Sequence, residues 1–323
     1  MNFLNVMFSS SDVSGCGWIR SFLPARHLNG HFIGGFSLNA PMDGIKHVIF
    51  QRHTHKDFIE IIPHLQSLGK KVYYDLDDDL WSIHESNPAK NAYPPETLST
   101  IEKIISLCDG VFTSTEYLKN KLTTFNPSVN VIPNLVEIPS TSKEYHHKIR
   151  IGYSGSLSHK IDFSDKLIYA LRKLYNKYSD RIEFIFFGYI PPELREISYH
   201  TAGVEPNQYL EALNYVDLDI GLIPLADIEF NKSKSNLKWL NTSICKAVPV
   251  VSDVHCYSEV EDQKTGFKIY NDKWYDVLEQ LINNKWLIEE MKNKCYEHVL
   301  QNYTWQHAKW KQEEVYEKEF LTN

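Results

Sequence analysis

Short β-rich runs alternate with helical stretches along this chain, and the alternation occurs twice, on either side of one Pro- and Ser-rich break. In the first half the strand candidates are Phe3–Phe8, His47–Gln51, Lys71–Asp75, Gly110–Thr113 and Val129–Ile132. Helical patterns fill the gaps at Ile19–Leu28, Asp57–Leu68, Pro95–Leu107 and Glu116–Leu122. Turn or capping residues follow the strands, as in the Ser-Ser-Ser-Asp run after Phe8 and in Ser114-Thr115. Such a rhythm predicts a parallel sheet covered by helices on both faces. Residues 133–147 carry Pro133, Pro139, Ser140, Thr141 and Ser142 with little apolar content, and read as a linker. The rhythm then restarts. Strands are predicted at Ile149–Tyr153, Ile182–Phe187, Leu218–Ile223, Val248–Ser252 and Phe267–Tyr270. Helices are predicted at Phe163–Tyr178, Pro206–Asn214, Leu237–Cys245, Trp274–Asn283 and Leu287–Asn302, followed by a charged, aromatic tail of helical character from Thr304 to Phe320. The expectation is two open α/β domains whose strand ends face one cleft, where ligands of such sheets bind.

The bulk numbers agree with that plan and remove other classes. A chain of 323 residues is long for one core and comfortable for two. Hydrophobic residues at 42% and charged residues at 23% describe a folded chain rather than a disordered one. A net charge of −7 gives no overall attraction to nucleic acid, although a local basic groove stays open. Cys16, Cys108, Cys245, Cys256 and Cys295 show neither CxxC spacing nor pairing with histidine, which points to reduced thiols. The first residues lack the basic start and apolar run of a signal peptide, and no apolar stretch approaches the roughly 20 residues of a membrane span. The expected location is the cytoplasm, at most peripheral to the inner face of the membrane. Aromatic residues reach 13%, which reads as core packing first and sugar stacking second.

Three segments carry chemistry. Ile151-Gly152-Tyr153-Ser154-Gly155-Ser156-Leu157-Ser158-His159-Lys160 follows the first strand of the second half. Gly155 lets backbone N–H groups approach a ligand, Ser156 adds a hydroxyl, and Lys160 supplies a positive charge, so a phosphate is the natural guest. Glycine and serine alone would favour a plain strand-to-helix turn, and the run matches neither GxGxxG nor a P-loop. Next, Phe230-Asn231-Lys232-Ser233-Lys234-Ser235-Asn236-Leu237-Lys238-Trp239-Leu240 leads three lysines into a helix start. Lysines oppose the helix dipole there, and together with the unpaired N–H groups they suit an anion; a solvated charge run is the plain alternative. Finally, Tyr74-Asp75-Leu76-Asp77-Asp78-Asp79-Leu80-Trp81 ends a predicted strand. It reads as a metal-binding DxD, as a non-metal cleft site through Asp77 or Asp78, or in part as a capped acidic turn. His53-Thr54-His55 follows the strand at His47–Gln51 and can place one ring in the cleft, whereas His146-His147 reads as linker surface. Neither HExxH nor a readable Ser-His-Asp set is present.

The ordered set Phe230, Lys234-Ser235, Lys238-Trp239-Leu240, Pro249-Val250-Val251-Ser252, Tyr257 and Gly266-Phe267 resembles the carboxyl-terminal signature of retaining GT-B glycosyltransferases of the family-4 type. The resemblance extends to Ile149–Asp162, Asp217–Leu225, the hinge-like Val131-Ile132-Pro133-Asn134, and Tyr303-Thr304-Trp305. Ser14-Gly15-Cys16-Gly17-Trp18-Ile19-Arg20 resembles the family's glycine-rich loop, in which Gly15 and Gly17 would face the donor phosphates. The acidic run resembles a D-x-D-D-x-W stretch that works without metal. The resemblance implies two Rossmann-like domains: residues 1–138 for the acceptor, with residues 304–323 packing back on them, 139–147 as linker, and 148–303 for the donor. It implies transfer of a hexosyl or pentosyl group from a nucleotide diphosphate sugar, most often a UDP-sugar, with retention and with neither cofactor nor metal. The catalytic expectations are Lys160, Lys234 and Asp78, and the donor-binding ones Gly15, Gly17, Gly155, Ser156, Ser235, Lys238, Asn241 and Thr242. Asn241 stands where the family has a ribose-binding Glu, one extra residue precedes Pro249, and Ser233 lies near the place of the family's other acid. Either Asn241 or the neighbouring Thr242 is therefore the ribose contact. The acceptor hydroxyl stays open among glycan, lipid-linked sugar, protein and modified DNA base, as does oligomeric state. An epimerase of the same architecture and a nucleotide-sugar binder without catalysis are the competing readings.

Overall fold

Two parallel sheets of six strands each organise the chain. The computed structural model describes residues 3–37, 39–143 and 146–322. Met1 and Asn2 of the first predicted domain, Leu38, the linker residues Glu144 and Tyr145, and the terminal Asn323 lie outside the described residues. The first sheet runs β2-β1-β3-β4-β5-β6. Its strands are β1 Val6–Ser10, β2 His31–Gly34, β3 His47–Gln51, β4 Lys71–Leu76, β5 Gly110–Thr113 and β6 Val129–Val131. The second runs β12-β11-β10-β7-β8-β9. It comprises β7 Ile149–Gly155, β8 Ile182–Gly188, β9 Ser198–Thr201, β10 Ile220–Ile223, β11 Val248–Ser252 and β12 Phe267–Ile269.

Central strands are apolar runs buried along their length, as β1, β3 and β10 show, because helices cover both faces of the sheet. Two strands were not predicted, β2 and β9, and both are edges. Their residues are half-exposed or exposed, so the continuous apolar run that marks an inner strand is missing. Residues Phe3–Asn5, predicted as strand, form a 3₁₀ turn before β1. The first helix starts earlier than expected, at Gly15, and passes through a π-helical turn at Trp18–Phe22 into Leu23–Leu28.

Helix Asp165–Tyr178 packs with helix Trp274–Ile282 on one face of the second sheet, through Leu167, Leu171, Leu174, Leu278 and Leu281. Trp239, Ile244 and Val299 fill the other face from helices Leu237–Ile244 and Lys285–Tyr303. The last helix, Trp310–Thr322, returns to the first sheet, where Tyr316 meets Phe3, Phe8 and Phe112 edge-on. A crossing point ties the two halves: Val136 N–H donates to the Tyr303 carbonyl at 2.9 Å, and Trp305 N–H to the Val136 carbonyl at 3.1 Å.

Each sheet has one place where strand order reverses. In the first it lies at β1, between β2 and β3; in the second at β7, between β8 and β10. Crevices beyond the carboxyl ends of strands at such switch points are where open α/β sheets bind ligands. Both switch points open onto the same cavity.

Candidate active site between the two sheets

A cavity of about 180 Å³ separates the loop after β1 from the loops of the second sheet. Gly15, Cys16 and Ile19 line it from the β1 side, and Asp77 and Asp78 from the segment after β4. Facing them are His159 after β7, Leu225 after β10, and Lys234, Ser235, Leu237 and Lys238 at the start of helix Leu237–Ile244. No side chain caps that helix, so its first N–H groups are left for an anion.

The four carboxylates that the sequence grouped into one run divide by their partners: Asp75 and Asp79 each have their own cation, and Asp77 and Asp78 share one. Asp75, fully buried, makes a bidentate pair with Arg20 at 3.1 and 2.7 Å. Asp79, also fully buried, takes Lys121 Nζ at 2.7 and 2.8 Å and the Trp81 N–H at 3.2 Å. Those two acids hold structure. Asp77 and Asp78 line the cavity and share one guanidinium nitrogen of Arg52, at 2.7 and 2.6 Å. Arg52 is in position because the backbone turns sharply after β3, with φ of 54°. That left-handed conformation costs a non-glycine residue on the order of 1–3 kcal/mol, the kind of strain that collects at functional sites. Lys234 Nζ approaches the other Asp78 oxygen at 3.5 Å. Burial opposes the charge of Asp78, but Lys234 and Arg52 outweigh it and hold the carboxyl well below its usual range. Burial likewise opposes the charge of Lys234, and Asp78 keeps its pKa raised.

Lys238 differs from Lys234. Its Nζ donates to the Tyr153 hydroxyl at 3.0 Å and stands 4.5 Å from that ring's centroid. Burial pushes its pKa down to about 7; Asp162 opposes this and Lys234 adds to it. The site thus holds one ammonium paired with an acid and a second paired only with a phenol. A phosphate group is the ligand class that completes both. Gly155 has to be glycine here, because any side chain would collide with the Tyr153 hydroxyl and stand 2.9 Å from Lys238 Nζ.

Ligand atoms of Cys16, Asp77 and Asp78 lie within 4.8 Å of one another. A cation among them would compete with Arg52 for both carboxylates. Burial and Asp77 also push the Cys16 thiol well up, so it is a poor source of thiolate.

Several expected residues stand elsewhere. Lys160 is exposed and does not line this cavity; its neighbour His159 does. Ser156 is exposed and bonds Ser158 at 2.6 Å. Gly17 is buried behind the wall in helical conformation, where a side chain would strike the Asp12 carbonyl and Ser10 Oγ; its missing side chain lets the segment after β1 pack against the helix. Ser235 does line the cavity and accepts from Asn134 Nδ2 at 2.9 Å, while Asn134 Oδ1 accepts from Arg20 at 2.9 Å. Ser233 is fully buried between the halves, accepting from the Asp79 N–H at 3.1 Å and donating to the Phe230 carbonyl at 2.8 Å. Lys232, the third lysine of its run, pairs with Glu229 at 3.1 Å. Asn241 lines a second cavity of about 500 Å³, adjoining the first at Ile19, with Trp18, Tyr209 and Leu210 among its walls. Thr242 turns the other way and packs its side chain on Gly221 of β10. Arg52 and Asn134's bridging role escaped the sequence reading, although Arg52 directly follows β3 and Asn134 stands three residues after β6, on the side where cleft residues of parallel sheets belong.

No protein-family model matches this sequence, and no curated protein matches it. Solved structures do resemble it. The TarM structure aligns with a TM-score of 0.61 at 18% identity, over 85% of this chain and 54% of that one, so the chain spans about half of TarM's length. Anabaena Alr3699/HepE in complex with UDP-glucose aligns with a TM-score of 0.64 at 10% identity, over 97% and 98% of the two chains. A glycosyltransferase from Rickettsia africae gives 0.64 at 10% identity, over 98% and 99%. With two parallel Rossmann-like sheets across a cleft, the chain has the GT-B fold.

Proposed function

We propose that this protein is a glycosyltransferase that moves a hexosyl or pentosyl group from a nucleotide diphosphate sugar, a UDP-sugar, to an acceptor hydroxyl. The observation that carries this is the pair Lys234 and Lys238 at an uncapped helix start, facing the cavity at both switch points. In this reading the diphosphate sits on those lysines and the helix N–H groups, and the nucleoside extends past Ile19 toward Asn241. As the glycosidic bond breaks, charge grows on the leaving diphosphate, and preorganised cations stabilise that change. Closure of the two halves excludes water. Transfer is proposed to proceed with retention and without metal; Arg52's hold on Asp77 and Asp78 supports the latter. Incubation with a panel of UDP-sugars, reading UDP release with and without candidate hydroxyl acceptors, tests the proposal. No release and no thermal stabilisation by any nucleotide sugar would refute it.

One observation favours a second reading, a nucleotide-sugar binder with weak catalysis. Ser233 is committed to the contact between the halves, and Asn241 offers a neutral side chain to the nucleoside cavity. Tight binding without turnover in the same panel would select it.

A further inference from the structure

His159 stands on the cavity wall beside both lysines, and its hydrogen bonding fixes what it can offer a ligand. Its Nδ1 is 2.7 Å from Asp162 Oδ2. Asp162 is buried, and its other oxygen accepts from the Ala226 N–H and from Asn231 Nδ2, each at 3.0 Å. An acid held in that way is an acceptor, so the ring donates through Nδ1–H. The nitrogen left for the cavity is Nε2. Burial, and then the charge of Lys238, push the imidazole down to about 4; Asp162 works the other way and Lys234 adds to the fall. The ring is therefore neutral near pH 7, and Nε2 presents a lone pair.

A lone pair on the wall that carries both lysines is selective. A phosphodiester oxygen brings no proton and is repelled by it, whereas a hydroxyl donates to it. Two parts of a nucleotide sugar carry hydroxyl groups next to the diphosphate, the ribose and the transferred sugar; with the nucleoside placed past Ile19 in the cavity of Asn241, which His159 does not line, the transferred sugar is the part left for His159. We propose that His159, oriented by Asp162, reads a hydroxyl of the donor sugar by accepting its hydrogen bond at Nε2. This makes it a specificity residue, and it rests on the nucleotide-sugar reading above.

Calorimetry with UDP and with UDP-glucose on the wild type, His159→Ala and His159→Gln tests it. His159→Ala should bind UDP within about twofold of the wild type and UDP-glucose about tenfold more weakly, as expected for one buried hydroxyl left without its acceptor. His159→Gln keeps an acceptor oxygen and should recover part of the loss. Retained UDP binding also shows that the variant's cleft is folded. Equal losses for both ligands would assign His159 to the shared phosphates or ribose and overturn the proposal, as would no loss for either. A wild type that binds neither ligand would instead fail the nucleotide-sugar reading itself, and this inference with it.

Discussion

Raising the pH from 6 to 8.5 should remove most of this protein's affinity for a nucleotide sugar, and one residue should account for it. Lys238 is half-buried, its hydrogen-bond partner is the Tyr153 hydroxyl, and its pKa falls to about 7. The groups around it give it little help: Asp162 is spent on His159, Ala226 and Asn231, Lys234 repels it, and the half-buried Cys256 thiol stays protonated. In the empty cleft Lys238 is about 90% charged at pH 6, about half at pH 7 and about 3% at pH 8.5, from a pKa of about 7. Two phosphate charges beside it raise that pKa, so binding takes up a proton wherever the free lysine lacks one. The sign follows directly. Affinity is full below pH 6 and falls toward tenfold per unit above 7, about 30-fold from pH 6 to 8.5 if the bound pKa exceeds 9.

The ligand should be a nucleotide sugar, because each of its phosphates carries one ester and the shared anhydride and so does not titrate near 7, as the terminal phosphate of UDP does. Isothermal titration calorimetry in buffers of different ionisation enthalpy should report uptake of about half a proton at pH 7 and nearly one at pH 8.5. Lys238→Met should bind more weakly at pH 6 and lose the pH dependence. An affinity flat from pH 6 to 8.5, or a slope that survives in Lys238→Met, would refute the reasoning.

Four further outcomes follow from the same geometry. Lys234→Ala should slow UDP release by about 10²-fold, the usual effect of losing one preorganised contact to developing charge, while Arg52 keeps Asp78 paired and the melting temperature changes little; normal turnover would remove Lys234 from the mechanism. EDTA should leave activity within about twofold, since lysines and helix N–H groups take the place of a metal; a strict requirement for Mg²⁺ or Mn²⁺ would give Cys16, Asp77 and Asp78 that role. Asn241→Leu should weaken UDP about two- to tenfold, the range of one neutral hydrogen bond, whereas Asn241→Glu should bind UDP at least as well. Thr242→Val should leave UDP affinity unchanged, because Thr242 faces Gly221; the reverse pattern would show the helix turned the other way.

Much of the frame was legible because inner parallel strands are continuous apolar runs. β3, β5 and β11 begin and end where the sequence places them, and helices Pro95–Leu107 and Glu116–Leu122 do as well. β2 and β9 were missed for the same physical reason in reverse, since edge strands need no apolar run. Within the site, a helix start rich in lysine was informative because lysine is unfavourable there without an anion, and Lys234, Ser235 and Lys238 do line the cavity. Side-chain direction was not legible. Nothing in a Ser-His-Lys run says which residue turns inward, and the 3₁₀ turn Leu157–Asp162 selects His159 over Lys160 through the His159–Asp162 bond. The acidic run could not be sorted either, because its partners Arg20, Arg52 and Lys121 are 55, 25 and 42 residues away.

On the proposed reading, the partition of those acids explains how a cleft that takes up a diphosphate would stay stable without one. Closely spaced buried cations repel each other and bear a desolvation cost, so an anion site needs compensation before its ligand arrives. Arg52 and Lys234 find it in Asp77 and Asp78, and Lys238 avoids the problem by shedding its proton as the pH rises through 7. The incoming diphosphate then meets one lysine released from a 3.5 Å contact and another that gains its charge on binding. Because Asp78 is on the first-sheet side and Lys234 on the second, their contact also spans the two halves. Phosphate binding that draws Lys234 from Asp78 would therefore loosen one tie across the cleft. The buried chain Arg20–Asn134–Ser235 and the Asp79–Ser233 bond remain to hold the halves in register. Charge exchange at Asp78 can thus proceed inside a fixed frame, as the proposed release of a product diphosphate would require.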